Sequence, residues 1–343
     1  MKKVFRQFSI TLPLLLLLQV SLYAQDDNDN DNRNSNEKKY EFVKKKAVNK
    51  SYNVSAADKL DIQNSFGSVT VTTWDRNEIK VDVDIEVSAN TEALAQKILD
   101  RISISNDQSG KEISFKTNMK EVHTSSDKGE KSTMHINYSI SMPSANPLQI
   151  KNEFGTTTLP DYRGEVDLTS KFGKLETGNL SDVKNIQVEF GKAKLGNIPG
   201  GNVTIKYSGA TIAKISGTVK MNLEFSSKVI LNLDNSLGSL DLKASYSTVN
   251  LKPVGELPAS YNITTSFGSF KNRTSVKFNS DEDDDNDRGP KFDHQYSGKS
   301  GSGNIQVKVK SNFSTIILGE PSSEDMKDKD KNKSRNKSKS VSI

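Results

Sequence analysis

Residues 166–195 read VDLTSKFGKLETGNLSDVKNIQVEFGKAKL. Two copies of one pattern lie in this stretch, Leu168…Phe172-Gly173 and Ile186…Phe190-Gly191, offset by 18 residues. Working outward, the aromatic-small pair recurs at Phe66-Gly67, Phe154-Gly155, Tyr207-Ser208, Phe225-Ser226, Tyr246-Ser247, Phe267-Gly268 and Phe313-Ser314. From Phe154 to Phe267 the steps are 18, 18, 17, 18, 21 and 21 residues. A short, near-constant period means that each repeat is one supersecondary unit whose apolar face is covered by its neighbours.

The interior of the repeat is legible from parity. Four residues before every aromatic stands an apolar residue: Ile62, Ile150, Leu168, Ile186, Val203, Met221, Leu242, Ile263 and Val309. In a strand, residues four apart share a face. The aromatics are therefore expected in the same buried ladder. After the pair the parity changes, with apolar residues at the third and fifth positions, as in Val69/Val71, Ala193/Leu195 and Ile316/Leu318. Both sets face inward only if the chain bends at the pair, where Gly or Ser fits most easily. Each repeat thus reads as strand, corner, strand. After Phe225 the apolar residues Val229, Leu231 and Leu233 come one position late, which predicts a local irregularity. The residue before the aromatic runs Glu153, Lys171, Glu189, Lys206, Glu224, so in-register stacking would set opposite charges above one another on an outward face.

The resulting fold expectation is all-β: a single-stranded β-solenoid (β-helix) with coils of about 18–21 residues and one short helix near the N-terminal part. Residues 1–24 read as a secretory signal, with Lys2, Lys3 and Arg6 ahead of an apolar run and Leu22-Tyr23-Ala24 as the cleavage site. Residues 25–39 are an Asn/Asp-rich linker and 320–343 a Lys/Ser-rich tail, both expected to be disordered. The domain spans 40–319, irregular to about 147 and compact over 148–319, with an acidic, Gly-rich insertion at 280–303 expected to loop out. The irregular segment and the tail are the expected caps of the stack. Ile79–Val87 alternates as a strand, 91–100 (TEALAQKILD) is a helix capped by Thr91 with Leu94, Ile98 and Ile102 as its stripe, and 112–117 and 134–142 are strands.

Composition narrows the function. The chain has no Cys, so neither a disulfide nor a lipid-modified Cys is available. Formal charge is +5, falling to +2 once the basic residues of the leader are removed, with no concentrated basic patch in the patterned part. That argues against nucleic-acid binding. Beyond the leader no stretch is long and apolar enough to span a membrane, so none is expected in the mature chain.

Candidate chemistry is sparse. Asp281, Glu282, Asp283, Asp284, Asp285 and Asp287 form a carboxylate run without the spacing of a calcium loop. His123, His135 and His294 form no paired motif, and no metal site or cofactor motif is expected. Asp161 with Arg163 and Asp75 with Arg76 are the local pairs nearest to a glycan-cleaving arrangement, but both follow strand ends where charges are ordinary. No nucleophile elbow, phosphate loop or triad grouping is present, and the chain is not expected to be an enzyme. The exposed lysines Lys174, Lys192, Lys194, Lys206 and Lys228 are the candidate binding face.

The segments NSFGSVTVTTWDRNEIKVDV (64–83), VDLTSKFGKLETGNL (166–180) and VTIKYSGATIAKISG (203–217), behind a signal peptide, resemble the bacterial putative-adhesin family of β-solenoid envelope proteins. That family is related to the head domains of putative auto-transporter adhesins, and the similarity covers roughly residues 54–319. The resemblance implies a right-handed β-helix in the cell envelope and carries over no catalytic residues. The leading expectation is a non-catalytic, exported, adhesin-like protein that binds or scaffolds an envelope protein or polysaccharide, in the periplasm or at the cell surface. The alternative is a periplasmic accessory protein acting in envelope-stress sensing through a protein partner. A polysaccharide-active β-helix enzyme is the third.

Overall fold

The computed structural model describes residues 40–120, 129–281 and 292–322. The expected signal (1–24), linker (25–39), His123, the carboxylates from Glu282 to Asp287 and the tail beyond Ser322 lie outside the described residues. Within them the chain is all-β with one helix, and its 22 strands belong to one sheet. The irregular part contains β1 (Phe42–Asn53), β2 (Lys59–Ser65), β3 (Val69–Thr73), β4 (Glu78–Ala89), helix α1 (Glu92–Leu99), β5 (Ile102–Ser109), β6 (Glu112–Met119) and β7 (Ser132–Met142). The periodic part begins with β8 (Leu148–Glu153), β9 (Thr156–Leu159), β10 (Tyr162–Lys171), β11 (Lys174–Thr177), β12 (Leu180–Glu189), β13 (Lys192–Lys206), β14 (Gly209–Glu224), β15 (Val229–Ser245) and β16 (Thr248–Pro253). It closes with β17 (Ala259–Ser266), β18 (Ser269–Arg273), β19 (Phe278–Ser280), β20 (Asp293–Lys299), β21 (Ile305–Asn312) and β22 (Thr315–Gly319).

Each aromatic-small pair separates a strand of one parallel ladder from a strand of a second. Before the corner the order is β2–β8–β10–β12–β13–β14–β15–β21–β17, and after it β3–β9–β11–β13–β14–β15–β16–β22–β18. The long strands β13, β14 and β15 serve both ladders, leaving one corner and running on to the next. Register is kept repeat to repeat: Leu168 lies opposite Ile150 and Ile186, and Leu175 opposite Thr157 and Ala193. The apolar residues four before each aromatic therefore make one continuous buried column, each no more than 3% exposed. Burial of each contributes roughly 1.5–3 kcal/mol.

At the N-terminal end the pattern turns antiparallel. β1 pairs with β4 and β4 with β7, while β7 joins β3 in parallel. β4 is the alternating strand read from the sequence, with Ile79, Val81, Val83, Ile85 and Val87 buried. Thr91 caps α1, its hydroxyl accepting the Leu94 N–H at 3.3 Å. The buried residues of the helix are Leu94, Ala95 and Leu99, with Ile98 partly buried, and they face β1 and β4. Ile102 belongs to β5 rather than to the helix stripe.

At the other end the structure departs from sequence order. β21 and β22 are inserted between the strands of the Tyr246 repeat and those of the Phe267 repeat. The 46-residue step between Phe267 and Phe313 is thus the path out and back, not a simple excursion. Nor is the 280–303 segment wholly looped out. Its described part forms β20, antiparallel to β17, with β19 antiparallel on its outer side. The reason is an open edge: β17 would otherwise show unpaired backbone groups. Tyr296 and Phe278 pack against Phe270 at centroid distances of 5.1 and 4.9 Å, and Phe278 lies 5.8 Å from Tyr261. This aromatic cluster and hairpin cap the end of the described structure; the charged tail, also an expected cap, lies outside the described residues beyond Ser322.

Candidate functional site: an exposed aromatic ladder

The corner decides where the aromatics go. All nine have φ between +49° and +66°, the left-handed region. For a bulky L-residue this costs roughly 1–2 kcal/mol. It also reverses the side on which the next residues emerge. The aromatic side chain leaves the sheet outward, and the following Gly or Ser turns inward. The expectation of a buried aromatic ladder is therefore wrong. Phe66 is 37% exposed and the other eight are 46–53% exposed, whereas Ser208, Ser226, Ser247 and Ser314 are buried. Parity was carried through a residue whose φ has the opposite sign.

Stacking offsets the strain. Phe66, Phe154, Phe172, Phe190, Tyr207, Phe225, Tyr246, Phe313, Phe267 and Phe292 form a column of ten rings. Successive centroids are 4.7–5.1 Å apart, and the planes are within 9° of parallel except at the Phe267–Phe292 step, which is at 20°. Each contact is worth about 0.5–1.5 kcal/mol. At strand spacing the column is roughly 43 Å long. Ring faces are spent on one another, so the column presents ring edges to solvent.

Beneath the ladder the second residue of each pair follows one of two designs. In the glycine corners the repeats approach so closely that a Cβ on Gly155, Gly173 or Gly191 would lie 1.8–2.0 Å from the carbonyl oxygen of the preceding corner. In the serine corners the hydroxyl does two jobs. Ser208, Ser226, Ser247 and Ser314 donate to the carbonyls of Lys206, Glu224, Ser245 and Asn312 at 2.6–3.0 Å. Their oxygens accept the N–H groups of Gly191, Ser208, Ser226 and Ser247 at 2.9–3.4 Å. The result is a continuous serine ladder.

Charged rows flank the aromatics. On one side the predicted alternation is realised: Lys171 pairs with Glu189 at 3.3 Å and Lys206 with Glu224 at 3.1 Å. Burial pushes the Glu189 carboxyl up, but Gln187, Lys171 and Lys206 outweigh it and hold it below the usual carboxylate range. Glu224 is held low by Asn222 first and then Lys206. On the other side Thr156, Lys174 and Lys192 stand in register, two residues after their aromatics.

The five candidate lysines consequently divide. Lys174 and Lys192 border the ladder on neighbouring strands. Lys194 lies one outward position farther along, between Glu176 and Thr211. Lys206 is on the opposite border, committed to the ion-pair row. Lys228 is the predicted irregularity: φ is +60°, and it absorbs the extra residue before β15.

Other candidates resolve into structure. Asp161 accepts the Asn179 backbone N–H at 2.6 Å, and Arg163 donates to Ser144 at 3.0 Å. The Arg76 guanidinium lies over Trp74 at 5.0 Å. Asp281 accepts the Gln295 N–H at 3.0 Å. Among the described residues no three His, Asp or Glu side chains converge as a metal site. No described helix is long and apolar enough to cross a membrane.

No family model matches the chain, and no curated protein matches it. Solved structures do. A "putative adhesin" from Bacteroides fragilis NCTC 9343 is 12% identical, covering 80% of this chain and 97% of its own, with a TM-score of 0.37. A "putative adhesin" from Parabacteroides distasonis ATCC 8503 is 7% identical over 80% and 97%, with a TM-score of 0.34. A "putative cell adhesion protein" from Clostridium sporogenes ATCC 15579 is 12% identical over 81% and 100%, with a TM-score of 0.25.

Proposed function

We propose that this chain is an exported, non-catalytic, adhesin-like binding protein of the cell envelope, built as a single-stranded right-handed β-solenoid, and that its aromatic ladder is the binding stripe. The signal-like N-terminus supports export. The parallel, in-register repeats support the solenoid, and its hand follows the usual hand of parallel crossovers.

The carrying observation is the amount of apolar surface left in the open. Ten rings, each about half exposed, leave roughly 100 Å² apiece, on the order of 1,000 Å² in one line. The largest apolar patch on a typical monomer is about 300–600 Å². A surface of that length, edged by Lys174 and Lys192 on one side and the ion-pair row on the other, suits an extended polymer or a flat protein face.

The test is to replace Phe172, Phe190 and Tyr207 together with Asn, which tolerates the left-handed conformation and so preserves the corner. Retention of the mature protein by isolated envelopes is then compared with wild type. A drop of tenfold or more, with the folded spectrum intact, is expected. Unchanged retention would remove the ladder as the binding stripe. Charge reversal of Lys174 and Lys192 is the companion variant, expected to weaken retention in a salt-dependent way. Protease shaving of intact cells separates surface from periplasm.

A further inference from the structure

The cap at the C-terminal end carries a second candidate site, open to solvent, that does not involve the ladder. A groove of about 700 Å³ lies where the hairpin of β19 and β20 meets β17 and β21. Its outward lining is two rows of side chains. Gln306, Ser260 and Lys299 are in register across three strands, with Lys277 just ahead of β19 beside them, and Lys308, Asn262, Ser297 and Asn279 are in register across four. The volume is in the range of small-ligand sites, roughly 300–1,000 Å³.

The chemistry of the lining is one-sided. Among the described residues three lysines face it and no carboxylate does, while the remaining polar groups are amides and hydroxyls. Lys308 sits diagonally across from Lys299, roughly 12 Å away at strand and residue spacings. Tyr261 and Val307, its apolar members, are buried and offer no surface for an acyl chain. Among the described lining residues there is no exposed aromatic face or arginine to stack a nucleobase. Amides and hydroxyls that pair with sugar hydroxyls, set among spaced ammonium groups, match a saccharide carrying repeated anionic substituents. We infer that this groove binds an acidic oligosaccharide, with Lys277, Lys299 and Lys308 taking the anionic groups and Asn262 and Asn279 the ring hydroxyls. The inference rests on the reading of the chain as a binding protein and adds a ligand class and a site to it.

The experiment uses the mature chain and three defined probes: an oligogalacturonate (carboxylated), a heparin-derived oligosaccharide (sulfated) and neutral maltohexaose, measured by calorimetry at two salt concentrations. Wild type is expected to bind one or both acidic probes and not the neutral one. The triple variant K277Q/K299Q/K308Q is expected to lose at least tenfold in affinity and most of its salt dependence. N262A/N279A should weaken binding several-fold while keeping the salt dependence. The two acidic arms decide between carboxylate and sulfate. No binding of either acidic probe, equal binding of maltohexaose, or an undiminished triple variant would overturn the inference. So would acidic-probe binding that appears only after Asp283, Asp284 and Asp285 are changed to Asn, since the groove would then belong to the chain's own acidic run. The ladder variant must keep groove binding. If the groove fails while the ladder variant still loses envelope retention, only this inference falls.

Discussion

A residue that breaks a local rule organises this protein. Phe or Tyr at positive φ is unfavourable in isolation, and it is tolerated because each strained ring stacks on its neighbours, on two of them everywhere but at Phe66, which ends the column. Its neighbour then determines how closely the repeats approach. Gly173→Ala would put a methyl 1.9 Å from the Gly155 carbonyl oxygen, so a backbone must move. The expected cost is about 1–3 kcal/mol. Gly209, whose nearest obstacle is 3.7 Å away, should accept Ala at no cost or gain about 0.4–1 kcal/mol. Denaturant midpoints of the two variants measure the contrast, and equal shifts would mean the corner is softer than its geometry. Ser226→Ala removes a fully buried hydroxyl that accepts the Ser208 N–H and shares its one proton between the Glu224 and Ile205 carbonyls. Orphaning those groups should cost about 1–3 kcal/mol.

Between repeats, elements are matched by charge as well as by shape. Glu189 and Glu224 titrate below their ordinary range because the stack supplies Lys171, Lys206 and the amides of Gln187 and Asn222. A carboxylate with a depressed folded pKa stabilises the fold fully above its unfolded value, about 4.3. That stabilisation is lost as pH falls through the folded value, because the unfolded chain binds protons first. The denaturant midpoint should therefore decline below about pH 5. Lys206→Gln should flatten the decline and move the carboxyl titrations of Glu189 and Glu224 upward by NMR. A decline of the same steepness in the variant would show that other groups carry it.

At the scale of the whole molecule, the order of layers differs from the order of the chain. The repeat of Phe313 lies between those of Tyr246 and Phe267, so the earlier segment acquires its neighbour only when the later one arrives. A chain ending at Gly303 lacks that middle layer. It is expected to keep residues 40–253 protected in limited proteolysis while 259–303 are cut. Protection of 259–303 in the truncated chain would show that β17 can dock directly on β15. The same end of the stack owes its groove to this arrangement, since three of its four strands pair only because the chain doubles back.

The sequence by itself determined the repeat, the inward columns, the corner at each aromatic-small pair, the alternating charges, the helix with its Thr91 cap and the irregularity at Lys228. These are properties of short windows, where periodicity and parity act within one strand and its turn. The tertiary structure alone decided three things. It placed the rings outside, because the sign of one φ inverts the side of a strand and stacking with other repeats is what sustains that sign. It seated the last repeat inside the stack and built the 292–299 segment into an edge, because competition for open strand edges is settled between distant segments. And it gathered Lys277, Lys299 and Lys308, spread along 32 residues of sequence, onto one groove. Pairing between distant strands brings together residues whose separation along the chain carries no trace of their contact.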